Sequence, residues 1–321
     1  MSFLAFFNYL IDPYGSFGTD ILNVNPVDSR SEILNKLDSA DPQLQTLLFG
    51  SSRSLLFKHF PGLNVALYAG AIEDHYSILR YAVDDLQYPI KAVVLVLEPD
   101  LMVSSHPVEK MLVKNSKLNR WLIKEPILYG QSLFAPPGYI DDIAMLLSVT
   151  TLKNSTKVLL KALKKRMSNG DKSDQDIGVV GAKNNHVLGR IAEARDSIDA
   201  RLRQYRKLYM SALALDKTRI KYLDMFAEFA SENNIKVILV HPGSSKVFWD
   251  EMMSLSNFKN INSEFYDLIQ KVRVRYGWTE IDIRPGKWKG LPLEYPDGVH
   301  LSKPSAAIID NEINEGLRNV F

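Results

Sequence analysis

Three polar side chains in the sequence together suit nucleophilic acyl chemistry: Ser52, inside Phe49-Gly50-Ser51-Ser52-Arg53-Ser54, and Asp297 with His300, inside Asp297-Gly298-Val299-His300. A serine hydroxyl is a weak nucleophile at neutral pH because its proton must leave as its oxygen attacks. A neutral imidazole accepts that proton, and a carboxylate fixes the imidazole's tautomer while stabilising its charged form. Asp297 and His300 lie three positions apart, and Gly298 between them eases an irregular turn. The same residues also carry plainer readings. Ser51 and Ser52 suit the capping of a following helix, and Asp-x-x-His suits an ordinary surface loop with an ion pair.

The elements that must position these groups weigh on the choice. Leu47-Leu48-Phe49 reads as a buried strand, and Gly50-Ser51-Ser52 lets the chain bend sharply at its carboxyl end, where a helix is expected to start. Reacting groups gather at such carboxyl ends in open α/β sheets. Further strands are predicted at 64–68 (NVALY), 91–97 (KAVVLVL), 235–240 and 280–283. Helical spacing is read at 29–37, 73–86, from His186 through Leu208, around Ile220, Leu223 and Ala227, at 265–274 and at 304–317. Strand, helix and strand in succession predict a parallel sheet with crossover helices. The middle is less regular: a helix near 109–122, helical pieces within 141–166 that include the basic amphipathic stretch LLKALKKR, and an exposed connection over 170–183. The amphipathic stretch suits packing on the main domain or contact with membrane headgroups.

The 321 residues suffice for one large α/β domain, or for a core with an inserted region. With 46% hydrophobic and 24% charged residues the chain is a folded one, and its net charge of +2 says little about partners. Local charge says more. Between Lys110 and Arg166 the cations at 110, 114, 117, 120, 124, 153, 157, 161, 164, 165 and 166 meet only Glu125, Asp141 and Asp142, which suits an anionic surface or polymer as well as plain solvation. The chain has no cysteine, so disulfides, cysteine nucleophiles and thiolate metal sites are excluded. No run reaches the roughly 20 apolar residues that span a bilayer. The apolar start, MSFLAFFNYLI, reads as an internal strap or as the remnant of an anchor. Glu73, Asp74 and His75 occupy consecutive helical positions that point apart, so no metal site is read there. No phosphate-loop or dinucleotide fingerprint calls for a cofactor, and no recognition motif calls for nucleic acid. His241, before a Pro-Gly turn, reads as structural or exposed.

FGSSRS at 49–54, YAGAIEDHY at 68–76 and DGVH at 297–300 resemble the SGNH hydrolase superfamily, and more specifically its extracytoplasmic branch of D-alanyl transfer proteins and polysaccharide O-acetyltransferase domains. The resemblance runs in order from 44 to 304. It implies a three-layer α/β/α fold with a mainly parallel sheet: an amino-terminal extension over 1–43, then an SGNH-hydrolase-like domain over 44–321 with a helical, basic insertion at 102–190. It places the nucleophile on Ser52, with Ser51 in the usual aspartate position, the orienting acid on Asp297 and the base on His300. The backbone N–H groups of Ser52 and Gly70 would form the oxyanion hole. One departure is plain: an asparagine expected after the third strand is replaced by LEPDL at 97–101, and ionised Glu98 and Asp100 are acceptors, not amide donors.

The resemblance implies acyl transfer or ester hydrolysis on a cell-envelope glycopolymer through an acyl-enzyme, without metal or cofactor. The alternative is an inert carbohydrate-binding or envelope-assembly protein on the same fold. Arg53, Lys110, Lys114, Lys161, Lys164 and Lys165 are the candidates for holding substrate. The expected partners are an acyl donor, a carbohydrate or anionic envelope polymer and a membrane acyl-transfer protein. The expected location is extracytoplasmic and membrane-associated.

Overall fold

The computed structural model describes residues 3–11, 29–68, 70–103, 117–122, 147, 152–153, 155–156, 159–160, 198–212 and 214–321. The chain divides into two compact units, Met1–Ser39 with Val108–Gly178, and Ala40–Pro107 with Val179–Phe321. The first holds α1 (Phe3–Ile11) and α2 (Ser29–Asp38). Within it Ser155 Oγ donates to Asn8 Oδ1 (2.9 Å), both buried, and Lys117 pairs with Asp38 (3.0 Å). The helical pieces expected over 141–166, most of the 102–190 insertion, the 170–183 connection and the first part of the helix read from His186 lie outside the described residues.

Among the described residues, the second unit is built on five strands, β1 (Thr46–Phe49), β2 (Leu63–Asn64), β3 (Ala92–Val96), β4 (Lys236–His241) and β5 (Thr279–Asp282), in the order β2-β1-β3-β4-β5. Every pairing is parallel: Leu48 stands opposite Asn64 and Val94, Val94 opposite Ile238, and Ile238 opposite Thr279. All of β1 and β3 is buried, as expected of central parallel strands covered on both faces. On one face α8 (Lys303–Arg318) lays Ile309, Ile313 and Leu317 against Val94, Ile238 and Val240. Pro304 in its first turn and Ser302, whose hydroxyl accepts from the Ser305 N–H, start this helix. On the other face α3 (Ile72–Arg80) packs with α5 (Lys217–Glu232), where Phe226 meets Phe49 edge-on. The result is a three-layer α/β/α architecture of hydrolase type.

The chain leaves β1 for β2 on one side, then crosses through α3 to β3 on the other. The carboxyl end of β1 is therefore the topological switch point, where open sheets form a crevice. Two expectations change in detail there. The strand read at 64–68 forms a ladder only over Leu63–Asn64, although the Val65 and Leu67 N–H groups still donate to Leu48 O and Gly50 O (2.9 and 3.0 Å). The helix expected after Ser52 is one 3-10 turn, Ser52–Ser54. It stops early because Asn64 reaches across, its amide donating to Ser54 O and Phe57 O and holding that stretch as a loop.

Among the described residues, the further α-helices of this unit are α4 (Ile198–Ser211), α6 (Lys246–Met253) and α7 (Ser256–Tyr276). Among the described residues, no helix is long and apolar enough to cross a membrane.

Candidate active site

The turn that carries Ser52 starts from a glycine with no room for a side chain. A Cβ on Gly50 would press on Ser54 Oγ and sit 2.9 Å from Val96 Cβ, so the chain after β1 runs hard against β3. The two serines that follow divide the roles read for them. Ser51 is the cap: buried, its hydroxyl accepts from the Arg53 N–H (3.3 Å) and donates to the Glu98 carboxylate. Ser52 is half-buried and takes no part in the capping. Its Oγ lies 3.0 Å from His300 Nε2.

The histidine is presented by a turn of its own. Gly298 has φ +91, a left-handed conformation that residues with a Cβ adopt only at a cost, and this lets Asp297 fold back on the residues after it. Asp297 Oδ1 accepts from the Val299 and His300 N–H groups (3.1 and 2.8 Å), and Oδ2 lies 2.7 Å from His300 Nδ1. Both side chains are buried. Burial works against the charge on Asp297, but the hydrogen bond and charge of His300 and the two backbone donors outweigh it, holding the carboxyl well below its ordinary value. Ser52, His300 and Asp297, brought together across 248 positions of sequence, thus form a continuous hydrogen-bonded line.

Two further side chains complete the surroundings: Arg201 does not stand out in the sequence, and Glu98 does so only as an acceptor in LEPDL where an asparagine is expected. Arg201 of α4 donates from Nε to Asp297 Oδ2 (3.0 Å). Its helix reads as a basic helix with mixed faces, and the available signal is the row Arg201, Tyr205, Tyr209 at every fourth position. Glu98, an acceptor where the resemblance implies an amide donor, anchors the nucleophile turn. One of its oxygens accepts from Ser51 Oγ and the other pairs with Arg53 Nε (2.6 Å), so one carboxylate holds both neighbours of Ser52. Burial pushes the Glu98 carboxyl up to about 8, with Arg53 opposing and Asp100 adding to the rise.

The oxyanion side is less complete. The Ser52 N–H has no acceptor among the described residues, which leaves it available to a developing negative oxygen. The Gly70 N–H, the second expected donor, is bonded to Leu67 O (3.2 Å). Arg53, expected to hold substrate, engages all three side-chain nitrogens within the protein: Nε with Glu98, one terminal nitrogen with Tyr205 Oη (2.8 Å) and the other with Gly243 O (3.3 Å). Beside it lies a cavity of about 30 Å³ bordered by Glu98, Tyr205, Ser244 and Asn262, room for a couple of waters and too small for a sugar ring.

The family model described as "Protein of unknown function (DUF1574)" matches residues 26–304 of the chain. The chain belongs to the DUF1574 family. No curated protein matches it. The part of this DUF1574 chain that matches takes in every residue of the hydrogen-bonded line, together with Gly70, Glu98 and Arg201.

The other residues singled out in the DUF1574 sequence separate clearly. Lys110, Lys114, Lys161, Lys164 and Lys165 lie outside the described residues. Glu73 pairs with Arg219 (3.2 Å), Asp74 accepts from the Ala71 N–H (3.0 Å), and His75 packs by its ring on Phe49, so the three side chains serve separate contacts. No group of side chains suited to a metal ion occurs among the described residues. His241 is fully buried at the end of β4, with Nε2 2.8 Å from Glu280 Oε1, a structural contact between β4 and β5.

Proposed function

We propose that this protein carries out serine-dependent acyl transfer or ester hydrolysis on a cell-envelope glycopolymer, through an acyl-enzyme on Ser52. The observation that carries the reading is the contact of Ser52 Oγ with a histidine whose other ring nitrogen is held by a buried carboxylate. As Ser52 Oγ bonds to the acyl carbon, its proton passes to His300 Nε2 and Asp297 stabilises the imidazolium. The tetrahedral intermediate then collapses: the bond to the leaving oxygen breaks and His300 returns the proton to it. A sugar hydroxyl or water repeats the sequence in reverse, giving its proton to His300 as it attacks the acyl carbon, and Ser52 leaves reprotonated. Extracytoplasmic placement, a membrane partner that supplies the acyl group and an anionic polymer as acceptor belong to the same proposal, on the strength of the motif resemblance.

A second reading has its own support. The Gly70 N–H is spent on Leu67 O, and Glu98 is tied to Ser51 and Arg53, so among the described residues one of the two expected amide donors is available where acyl chemistry ordinarily uses two or more. This favours an inert carbohydrate-binding or envelope-assembly protein. Intact-protein mass after treatment with a small phosphonylating reagent separates the two. Acyl chemistry predicts one adduct on Ser52, kept in Ser51→Ala and lost in Ser52→Ala and His300→Ala. A folded wild type that takes no adduct favours the inert protein.

A further inference from the structure

We propose that Arg201 is a positioning residue for the Ser52 reaction, holding the outer side of the Asp297 carboxylate and tempering its grip on the His300 ring. This rests on the acyl-transfer reading above. Asp297 Oδ1 is filled by two backbone N–H groups, and Oδ2 is shared by His300 Nδ1 (2.7 Å) and Arg201 Nε (3.0 Å). Two donors on one oxygen draw on the same negative charge. The guanidinium therefore fixes the direction in which the carboxylate points and leaves the imidazolium a weaker partner than an undivided carboxylate would be.

The placement of Arg201 is built into the fold. It lies in the first turn of α4, and Gln204 Oε1 accepts from its terminal nitrogen (3.1 Å). Its side chain is 20% exposed against 3% for Asp297, so solvent weakens the pair only in part. One turn along the same helix face, Tyr205 Oη accepts from Arg53, the residue next to Ser52. One helix thus touches the acid at one end of the hydrogen-bonded line and the nucleophile's neighbour at the other. It also fits the turn between them: a Cβ on Gly298 would lie 3.3 Å from Cγ1 of Ile198, the first residue of α4.

Among the described residues, Asp297 holds the His300 ring from its own turn and Arg201 reaches Asp297 from α4, while Arg53 after β1 and Glu98 after β3 pair beside Ser52, Glu98 also taking the Ser51 hydroxyl. Arg53 and Glu98 pair with each other (2.6 Å), and since every variant keeps both, whatever the Glu98 proton adds to the profile is common to wild type and variants. Of the described cations, Arg201 alone touches the Asp297 carboxylate. Its removal takes a like charge from beside the forming imidazolium and leaves the carboxylate undivided. Both changes favour the protonated base, so the acidic limb of the pH–rate profile moves to higher pH, by about half to one pH unit. The carboxylate also loses an orienting donor, and the rate on the plateau falls on the order of tenfold. Loss of packing alone lowers the plateau and leaves the limb where it was.

The test measures the rate of Ser52 phosphonylation by intact mass from about pH 5 to about pH 9 for wild type, Arg201→Leu, Arg201→Lys and Tyr205→Phe. Alongside, the low-field His300 Nδ1–H proton resonance of the unreacted proteins is titrated. The expected result is an upward shift of the limb in Arg201→Leu, a limb near wild type in Arg201→Lys, and no shift in Tyr205→Phe, which loosens the same helix without removing the charge. An Arg201→Leu limb that coincides with wild type overturns the proposal. Should Arg201→Leu fail to fold, Arg201→Gln removes the charge while keeping a donor and is judged in the same way. A wild type that does not react defeats the acyl-transfer reading, and the proton titration then decides the role of Arg201: a midpoint moved upward in the variant supports it, and an unmoved one overturns it.

Discussion

The two halves of the candidate site differ in completeness. On the acid–base half, Asp297, Gly298 and His300 form a short turn in which the carboxylate has four donors and the imidazole is aimed at Ser52. On the oxyanion half, one amide is available, one is spent within a turn, and a carboxylate stands where an amide donor was expected. The groups that would move a proton are thus all in contact, while donors for an oxyanion formed by attack on an acyl carbonyl are only partly provided among the described residues. Since oxyanion donors supply a large share of the rate in acyl transfer, both the formation and the breakdown of an acyl-enzyme on Ser52 are expected to be slow.

The comparison is broken most directly at Asp297. Asp297→Asn keeps the shape of the turn but offers the ring the wrong partner, and phosphonylation of Ser52 is expected to slow by about 10³- to 10⁴-fold with circular dichroism unchanged. A small loss would mean that the acid–base half is ornamental. Next comes Gly298→Val. A β-branched residue at φ +91, with its Cβ close to Ile198 and Phe248, is expected to cost about 1–3 kcal/mol in urea unfolding and to slow labelling by misplacing His300. Wild-type stability in that variant would show the turn to be undemanding.

Glu98 sharpens the other half through pH. Burial pushes its carboxyl up to about 8 from an ordinary 4.5, so the folded protein holds this proton more tightly than the unfolded chain does. The stability it contributes is complete below about 4.5 and is lost as pH rises towards 8. Thermal melts across that window should show the decline in wild type and a flatter curve in Glu98→Gln. Equal slopes would remove Glu98 from the account. The smallest effect is at acid pH. The depressed Asp297 carboxyl contributes stability above its ordinary 3.8, which is lost as pH falls through its lower native value, and the matching acid-side decline should be reduced in Asp297→Asn.

The acid–base half was legible in the sequence because it is local: three positions, a glycine, and a histidine beside an apolar residue. The central strands were equally plain, since AVVLV in β3 has no competing interpretation as a surface. What escaped was non-local. Nothing near Glu98 announces that Ser51 and Arg53, more than forty positions earlier, converge on it. Arg201 looks in sequence like any arginine on a basic helix, because the feature that distinguishes it is the arrival of Asp297 ninety-six positions later. The short α6 was missed although Ser245 caps it, because the run after His241-Pro-Gly carries little apolar periodicity. The extra length of α7 was missed because polar residues mask its start at Ser256.

The ends of the sheet bear on how another chain could approach. Among the described residues, one border is the two-residue β2, and the other is β5, whose Glu280 and Asp282 are engaged by His241, Arg273 and Arg284. A border so short, or so charged, is a poor template for annealing another chain's strand. Recognition of a partner at the crevice would then rest on side chains rather than on strand pairing, and its specificity can drift by surface substitution while the sheet beneath stays the same.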